Sequence, residues 1–214
     1  MKRVNAILRH PLFAEKLRLL NELEAERIFC RHDLTHLLDV ARLMWIDVLE
    51  QGLDMDRDVV YAAALLHDLG RAEQIRHGIP HEQASAALAE VILPDAGFDE
   101  DETKAVIAAI RGHRGSAPAD AREILGEIIY RADKACRLCW RCDAREACNW
   151  PEERKTRALP VKEDANRANR QSGISDERKD LHHGHSERHA GFLFRRRTME
   201  SDGCCAAPRG GHAE

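Results

Sequence analysis

His67-Asp68 closes the apolar run Tyr61-Ala-Ala-Ala-Leu-Leu66 and stands just before Leu69-Gly70. An adjacent imidazole and carboxylate can both bind one metal ion, or one can bind while the other bridges to a second ion. Four more donors stand elsewhere along the chain: His36, His81, His113 and Asp133. In order, the six read H…HD…H…H…D. Nitrogen and oxygen donors of this kind suit iron, manganese, zinc or magnesium, and the usual work of such ions is activating water.

A single histidine on a helix is more often a hydrogen-bonded core residue than a ligand, so the weight lies on the set. Two His-Asp pairs must be separated. His32-Asp33 opens a helix, where Asp33 serves as an N-cap. His67-Asp68 follows an apolar stretch, so it lies at the deep end of a buried helix, and a charged pair there needs a partner that a metal supplies. Asp133 has a similar approach through Ile128-Ile-Tyr-Arg-Ala. His32 and His36 are one helical turn apart and face the same side. His113 lies in Arg111-Gly-His-Arg-Gly115, a flexible basic loop that favours a ligand or substrate role. His81 follows Pro80 and also reads as an exposed first-turn residue.

The elements that must carry these residues are helices; strand alternation is nearly absent. Helix-spaced apolar residues predict helices over about 11–27 and 33–50, the second stopped by Gly52. A third is capped by Asp56 or Asp58, carries His67-Asp68 near its end and breaks at Gly70. A fourth covers about 81–93, with Pro80 at its start. Residues 94–98 read as a loop, and Asp99 or Asp101 caps a fifth helix through about Arg111. A loop over 112–118 precedes a sixth helix over about 120–141. The expectation is an all-α bundle of about six helices.

Hydrophobic residues make up 43% of the 214 residues and aromatics only 5%, so the core is mostly aliphatic. A formal charge of −4 is too mild to argue for nucleic acid or a membrane partner. No apolar run is long enough to span a bilayer, and no secretory signal is visible. Seven cysteines without an export signal point to reduced thiols or metal ligation in the cytoplasm. Cys136, Cys139, Cys142 and Cys148 are spaced C-x2-C-x2-C-x5-C, which suits zinc or an iron–sulfur cluster. Cys30 lies six residues before His36 and Cys139 six after Asp133, so antiparallel helices would bring both to one side. Against this, Cys136 and Cys139 also read as small apolar residues on the helix face of Asp133. Beyond about residue 157 apolar residues thin out and periodicity is lost. Residues 158–214 read as a disordered tail or, given the abrupt change, a frameshifted terminus. Neither His182-His-Gly-His185 nor Cys204-Cys205 is assigned a function.

Ala62-Ala-Ala-Leu-Leu-His-Asp-Leu-Gly-Arg71 resembles the signature of the HD-domain metal-dependent phosphohydrolase superfamily. His36-Leu-Leu-Asp-Val-Ala-Arg42 resembles its first-histidine motif and Tyr130-Arg-Ala-Asp133 its closing aspartate. The likeness covers roughly residues 1–157. Phe29-Cys-Arg-His-Asp33, Pro80-His-Glu82 and Cys148-Asn-Trp-Pro-Glu-Glu153 are similar to segments of small uncharacterised bacterial HD proteins. The resemblance implies a first metal on His36, His67, Asp68 and Asp133. It implies a second on His81 and His113 with Asp68 bridging, so one or two divalent ions in all. It further implies hydrolysis of a nucleotide or other small phosphoester by metal-activated hydroxide. Asp68 would hold the ions and orient water. Arg71 would hold phosphate, followed by Arg114, Arg131 and Lys134, with His32 touching substrate. The similar bacterial proteins keep cysteines matching Cys30, Cys139, Cys142 and Cys148, which selects those four as a second metal or cluster site. HD-GYP cyclic-dinucleotide enzymes have a similar ligand order, but Arg114-Gly-Ser-Ala-Pro118 stands where their Gly-Tyr-Pro element belongs, which argues against such substrates. Two other functions fit the same residues: a di-iron oxygenase, and a non-catalytic iron- or redox-sensing module.

Overall fold

The computed structural model describes residues 1–113 and 124–158. They form eight α-helices: α1 (Lys2–Arg9), α2 (Pro11–Leu23), α3 (Leu34–Gln51), α4 (Arg57–Leu66), α5 (Arg71–His77), α6 (His81–Asp95), α7 (Glu100–Gly112) and α8 (Ile124–Ala135). Two 3₁₀ turns follow, Cys139–Arg141 and Glu152–Arg154. Among the described residues there is no strand. No described helix is long and apolar enough to cross a membrane.

The core is organised around α4. Its residues Val60 and Ala62–Leu66 are all buried, and burial continues through His67, Asp68 and Leu69. Three consecutive alanines keep the helix thin, so α1, α3, α6, α7 and α8 all pack against it. α3 contributes Leu37, Val40, Ala41, Met44 and Val48 as one buried stripe, the spacing of a helix half-sunk in a core. Helix ends follow local chemistry. Asp33, Asp56 and Asp99 each accept backbone N–H groups at an N-cap, and Asp99 forms a capping box with Glu102. Gly52 closes α3 at φ 64, a left-handed conformation that glycine adopts without strain.

Four departures from the sequence reading matter here. α1 and α5 are additional helices, so the bundle has eight described α-helices rather than about six. α5 fills part of the stretch 71–80 expected as loop; it is short and polar, with only Ala72 buried. α6 runs through Pro94 to Asp95 instead of stopping at 93, because a proline in the last turn forfeits one hydrogen bond while Ala96 and Phe98 still bond back to Ile92 and Leu93. α8 ends at Ala135, not near 141. Leu138, inside the stretch expected as helix, is 54% exposed. Cys139 therefore does not share a helix face with Asp133.

Candidate metal centre

Five helices deliver one donor set to one point. Asp33 caps α3 and accepts from the His36 amide at 3.0 Å, fixing the first turn on which His36 stands. His67 is the last residue of the α4 spiral and Asp68 follows it. The Gly70 amide donates to Ser85 Oγ at 2.8 Å, which ties the turn after Asp68 to α6 and to His81 at its start. His113 caps the end of α7, and Asp133 lies in the last turn of α8.

The Asp68 carboxylate is the centre. Its Oδ2 is 3.2 Å from His67 Nε2 and 3.6 Å from His36 Nε2. Its Oδ1 is 3.2 Å from His81 Nε2. His36 Nε2 is also 3.6 Å from Asp133 Oδ1. His81 Nε2 faces His113 Nε2 at 3.3 Å. Two donor groups result, His36–His67–Asp68–Asp133 and Asp68–His81–His113, each with its donor atoms within 4.8 Å of one another. Asp68 belongs to both.

The other ring nitrogen of each histidine is held from behind. His67 Nδ1 donates to the Ala64 carbonyl at 2.7 Å and His113 Nδ1 to the Ile110 carbonyl at 2.5 Å. A carbonyl only accepts, so these bonds place the proton on Nδ1 and leave Nε2 as the lone-pair donor. His81 Nδ1 meets Gln74 Oε1 at 2.9 Å and His36 Nδ1 meets the Cys136 thiol at 3.5 Å. His36 Nε2 and His67 Nε2 are buried with no hydrogen-bond partner. Orphaned buried nitrogens beside two carboxylates are costly unless a cation completes them. This donor chemistry fits a divalent metal, and the residues could hold one.

The charges follow from that crowding. Burial pushes the Asp68 carboxyl up, but the neighbouring His67 and His36 imidazoles outweigh it and hold Asp68 well below the usual carboxylate range. Burial opposes ionisation of Asp133 as well, and Arg137 and His67 overcome it, keeping that carboxyl low. Burial disfavours the charged form of His67, yet Asp68 prevails and raises its pKa. For His113 burial wins, aided by His67, and the ring is held neutral. Burial pushes the Cys136 thiol up to about 12, so it stays protonated and donates to the Asp133 carbonyl at 3.3 Å.

A cavity of about 430 Å³ opens over the centre. Its lining includes Asp68, His81, His113 and Asp133 together with Arg27, Arg71, Lys134, Arg137, Arg154 and Lys155. Six cations against two carboxylates make a locally positive basin in a chain of net charge −4. Arg71 Nε and Arg137 Nε are buried without an acceptor.

The structure thus brings together all six of His36, His67, Asp68, His81, His113 and Asp133. His81 is 2% exposed, so it is no surface residue. His32 joins them, its Nδ1 held by Glu24 at 2.8 Å and its Nε2 3.7 Å from Asp68. Arg71 and Lys134 line the cavity, Lys134 in a short contact with Asp133. Arg131 does not: it is exposed and pairs with Asp47 and Glu127, because its place on α8 turns it away from Asp133. Arg114 lies outside the described residues. Cys30, Cys139, Cys142 and Cys148 are free, and no three of their sulfurs fall within 4.8 Å of one another among the described residues. Sequence reasoning missed Glu24, Gln74, Ser85 and Arg137, which hold the others in place, and read Cys136 as a cluster or packing residue rather than as the partner of His36. A motif carries no signal for them, since each acts through a partner distant in the chain or on a turn.

The family model of the HD domain matches residues 33–138, from the cap of α3 to just past α8, and takes in all six donors. The chain belongs to the HD-domain family. An uncharacterized protein of Clostridium beijerinckii is 36% identical over 155 residues, 72% of this chain and 96% of that protein. Ribonuclease Y of Acetivibrio thermocellus is 30% identical over 124 residues, 58% of this chain. Ribonuclease Y of Oleidesulfovibrio alaskensis is 31% identical over the same length. The matched stretch spans about a fifth of the length of these two, 21% and 22%. The crystal structure of a predicted HD superfamily hydrolase from an uncultured Thermotogales bacterium is similar at a TM-score of 0.49 and 24% identity, covering 72% of this chain and 87% of that one.

Proposed function

We propose that this HD domain is a metal-dependent phosphohydrolase acting on a nucleotide or other small phosphoester. The observation that carries the reading is a single carboxylate, Asp68, shared by two donor groups beneath a cationic cavity. His36, His67, Asp68 and Asp133 would hold one ion and Asp68, His81 and His113 a second. Such ions, of iron, manganese, magnesium or zinc, supply Lewis-acid activation of water and charge neutralisation at phosphorus.

The remaining work falls to the chain. Arg71 and Arg137 each present a buried Nε–H without an acceptor, and a phosphoryl oxygen would satisfy both. Arg71 stands 3.7 Å from Asp68 and Arg137 3.2 Å from Asp133, so each carboxylate has a guanidinium beside it to orient the ester. Asp68, kept ionised by its imidazoles, accepts a hydrogen bond from the attacking water and aligns it. His32, steadied by Glu24, presents Nε2 to the same space and contacts the substrate. Lys134 offsets charge at the rim. The ribonuclease Y relatives make a phosphodiester the natural second substrate to assay.

Phosphate release from nucleotides, p-nitrophenyl phosphate and bis-p-nitrophenyl phosphate, assayed with added manganese or iron, tests the reading. His67→Ala and Asp68→Asn should abolish it. Arg71→Gln should raise KM by about 10- to 100-fold, the loss of one charge-assisted hydrogen bond. Oxygen uptake in place of phosphate release would overturn the proposal in favour of oxygenase chemistry.

A further inference from the structure

The stretch after α8 is built unlike the rest of the protein. Between Cys136 and Ala158 there is no α-helix, and Lys155 is the one buried residue. It is held by turns instead. Cys142 N bonds to the Cys139 carbonyl, Arg145 N to that of Cys142, and Cys148 N to that of Arg145, at 3.4, 3.1 and 3.3 Å. The 3₁₀ turn ends at Arg141 and the backbone is extended at Cys142 before the next turns begin. Cys30, on the loop before α3, lines one cavity with Cys139 and Cys148 and a second with Cys139 and Cys142. Cys136 also lines the second, but its thiol is committed to the Asp133 carbonyl and to His36.

An irregular segment with so little buried apolar surface needs another source of order, and thiolate ligation is the usual one. The separation of the sulfurs favours one class of ligand over the other. A single zinc ion with bonds of about 2.3 Å would draw tetrahedral sulfurs to about 3.8 Å apart. No three of these sulfurs lie within 4.8 Å of one another among the described residues. A polynuclear cluster holds its thiolates further apart, around inorganic sulfide. The surroundings also suit a negatively charged cluster. Arg27 donates to the Cys30 carbonyl at 2.9 Å, Arg145 to the Cys139 carbonyl at 3.3 Å, and Arg137 stacks on Trp150 at 4.0 Å beside them.

We infer that Cys30, Cys139, Cys142 and Cys148 bind a four-iron–four-sulfide cluster that fixes the wall of the catalytic cavity. The same segment carries Trp150, Arg154 and Lys155 into that cavity, so the cluster orders residues that face the substrate. The inference is independent of the phosphohydrolase reading, since none of the four cysteines belongs to the His/Asp centre.

The test is elemental and sulfide analysis of the full chain purified without oxygen and reconstituted with iron and sulfide, with visible absorption and paramagnetic resonance after reduction. About four iron and four sulfide per chain are expected beyond the ions of the His/Asp centre. Cys142→Ser and Cys148→Ser should lose the sulfide and the absorption while helical circular dichroism is kept. Cys136→Ser and the double variant Cys204→Ser/Cys205→Ser should retain both. Asp68→Asn should lose activity and keep the cluster, which separates failure of one site from failure of the other. One zinc per chain lost in Cys142→Ser, or no sulfide under any condition, would overturn the inference.

Discussion

Replacing Gly70 by alanine tests how the fold sets the distance between the two donor groups. Gly70 has φ −76, which any residue adopts, so the constraint at this position is space. A Cβ there would lie 2.4 Å from the Ser85 backbone nitrogen, 2.6 Å from the His81 carbonyl oxygen and 2.7 Å from Ala84 Cβ. Ordinary contact begins at about 3.5 Å, so the start of α6 must retreat by about 1 Å. The first two obstacles are backbone and cannot rotate aside. His81 rides on that backbone, and its 3.2 Å approach to Asp68 would open beyond coordinating reach. Overpacking of this kind costs about 1–3 kcal/mol, or a fall in Tm of about 2–12 °C for a domain of this size. His36, His67 and Asp133 lie on other helices and should stay. Gly70→Ala should therefore melt earlier by calorimetry and bind one ion fewer than the parent, counted by elemental analysis. A variant that melted with the parent and kept the parent's ion count would refute the claim that this close approach spaces the site.

Two further outcomes follow from the same geometry. Gln74→Ala removes the group behind His81 Nδ1 without touching a donor, and should weaken binding of the second ion by about 10- to 100-fold in a metal titration while leaving the first unchanged. His67 must lose any proton on Nε2 before it can bind metal, and its pKa is raised above the usual histidine value. Metal binding should then release a proton, and affinity should fall as pH drops through that raised pKa; calorimetry in buffers of different ionisation enthalpy measures it.

His36, His67, Asp68 and Asp133 were legible because each stands at a readable local position, whereas His81 and His113 entered through the family resemblance. His67-Asp68 ends an apolar run, Asp133 follows one, and His36 comes one turn after a capping aspartate. Burial of a charged group at the end of an apolar stretch is a local inference. Their backing groups are not local. Nothing near Gln74 says that it meets His81, because α5 looks like loop: seven mostly polar residues bracketed by Gly70 and Gly78. Glu24 reaches His32 only because α2 ends where it does, with Glu24 3% exposed despite its charge. The end of α8 was misread for the opposite reason. The helix was expected to run to about residue 141, but beyond Ala135 the chain turns away and Leu138 is left 54% exposed. Arg131 and Arg137 show the same limit, since sequence proximity to Asp133 does not say which faces it.

Asp133 is paired with two cations of its own chain, Lys134 in a short contact and Arg137 at 3.2 and 3.3 Å from its two oxygens. Arg137 stands one helical turn further on, past the end of α8, and Lys134 is next to Asp133 in sequence, so the last helix of the bundle and the turn after it carry their own clamp for the one donor they supply. The carboxylate is thereby aimed at His36 from within its own segment, without help from the helices that bring the other five donors.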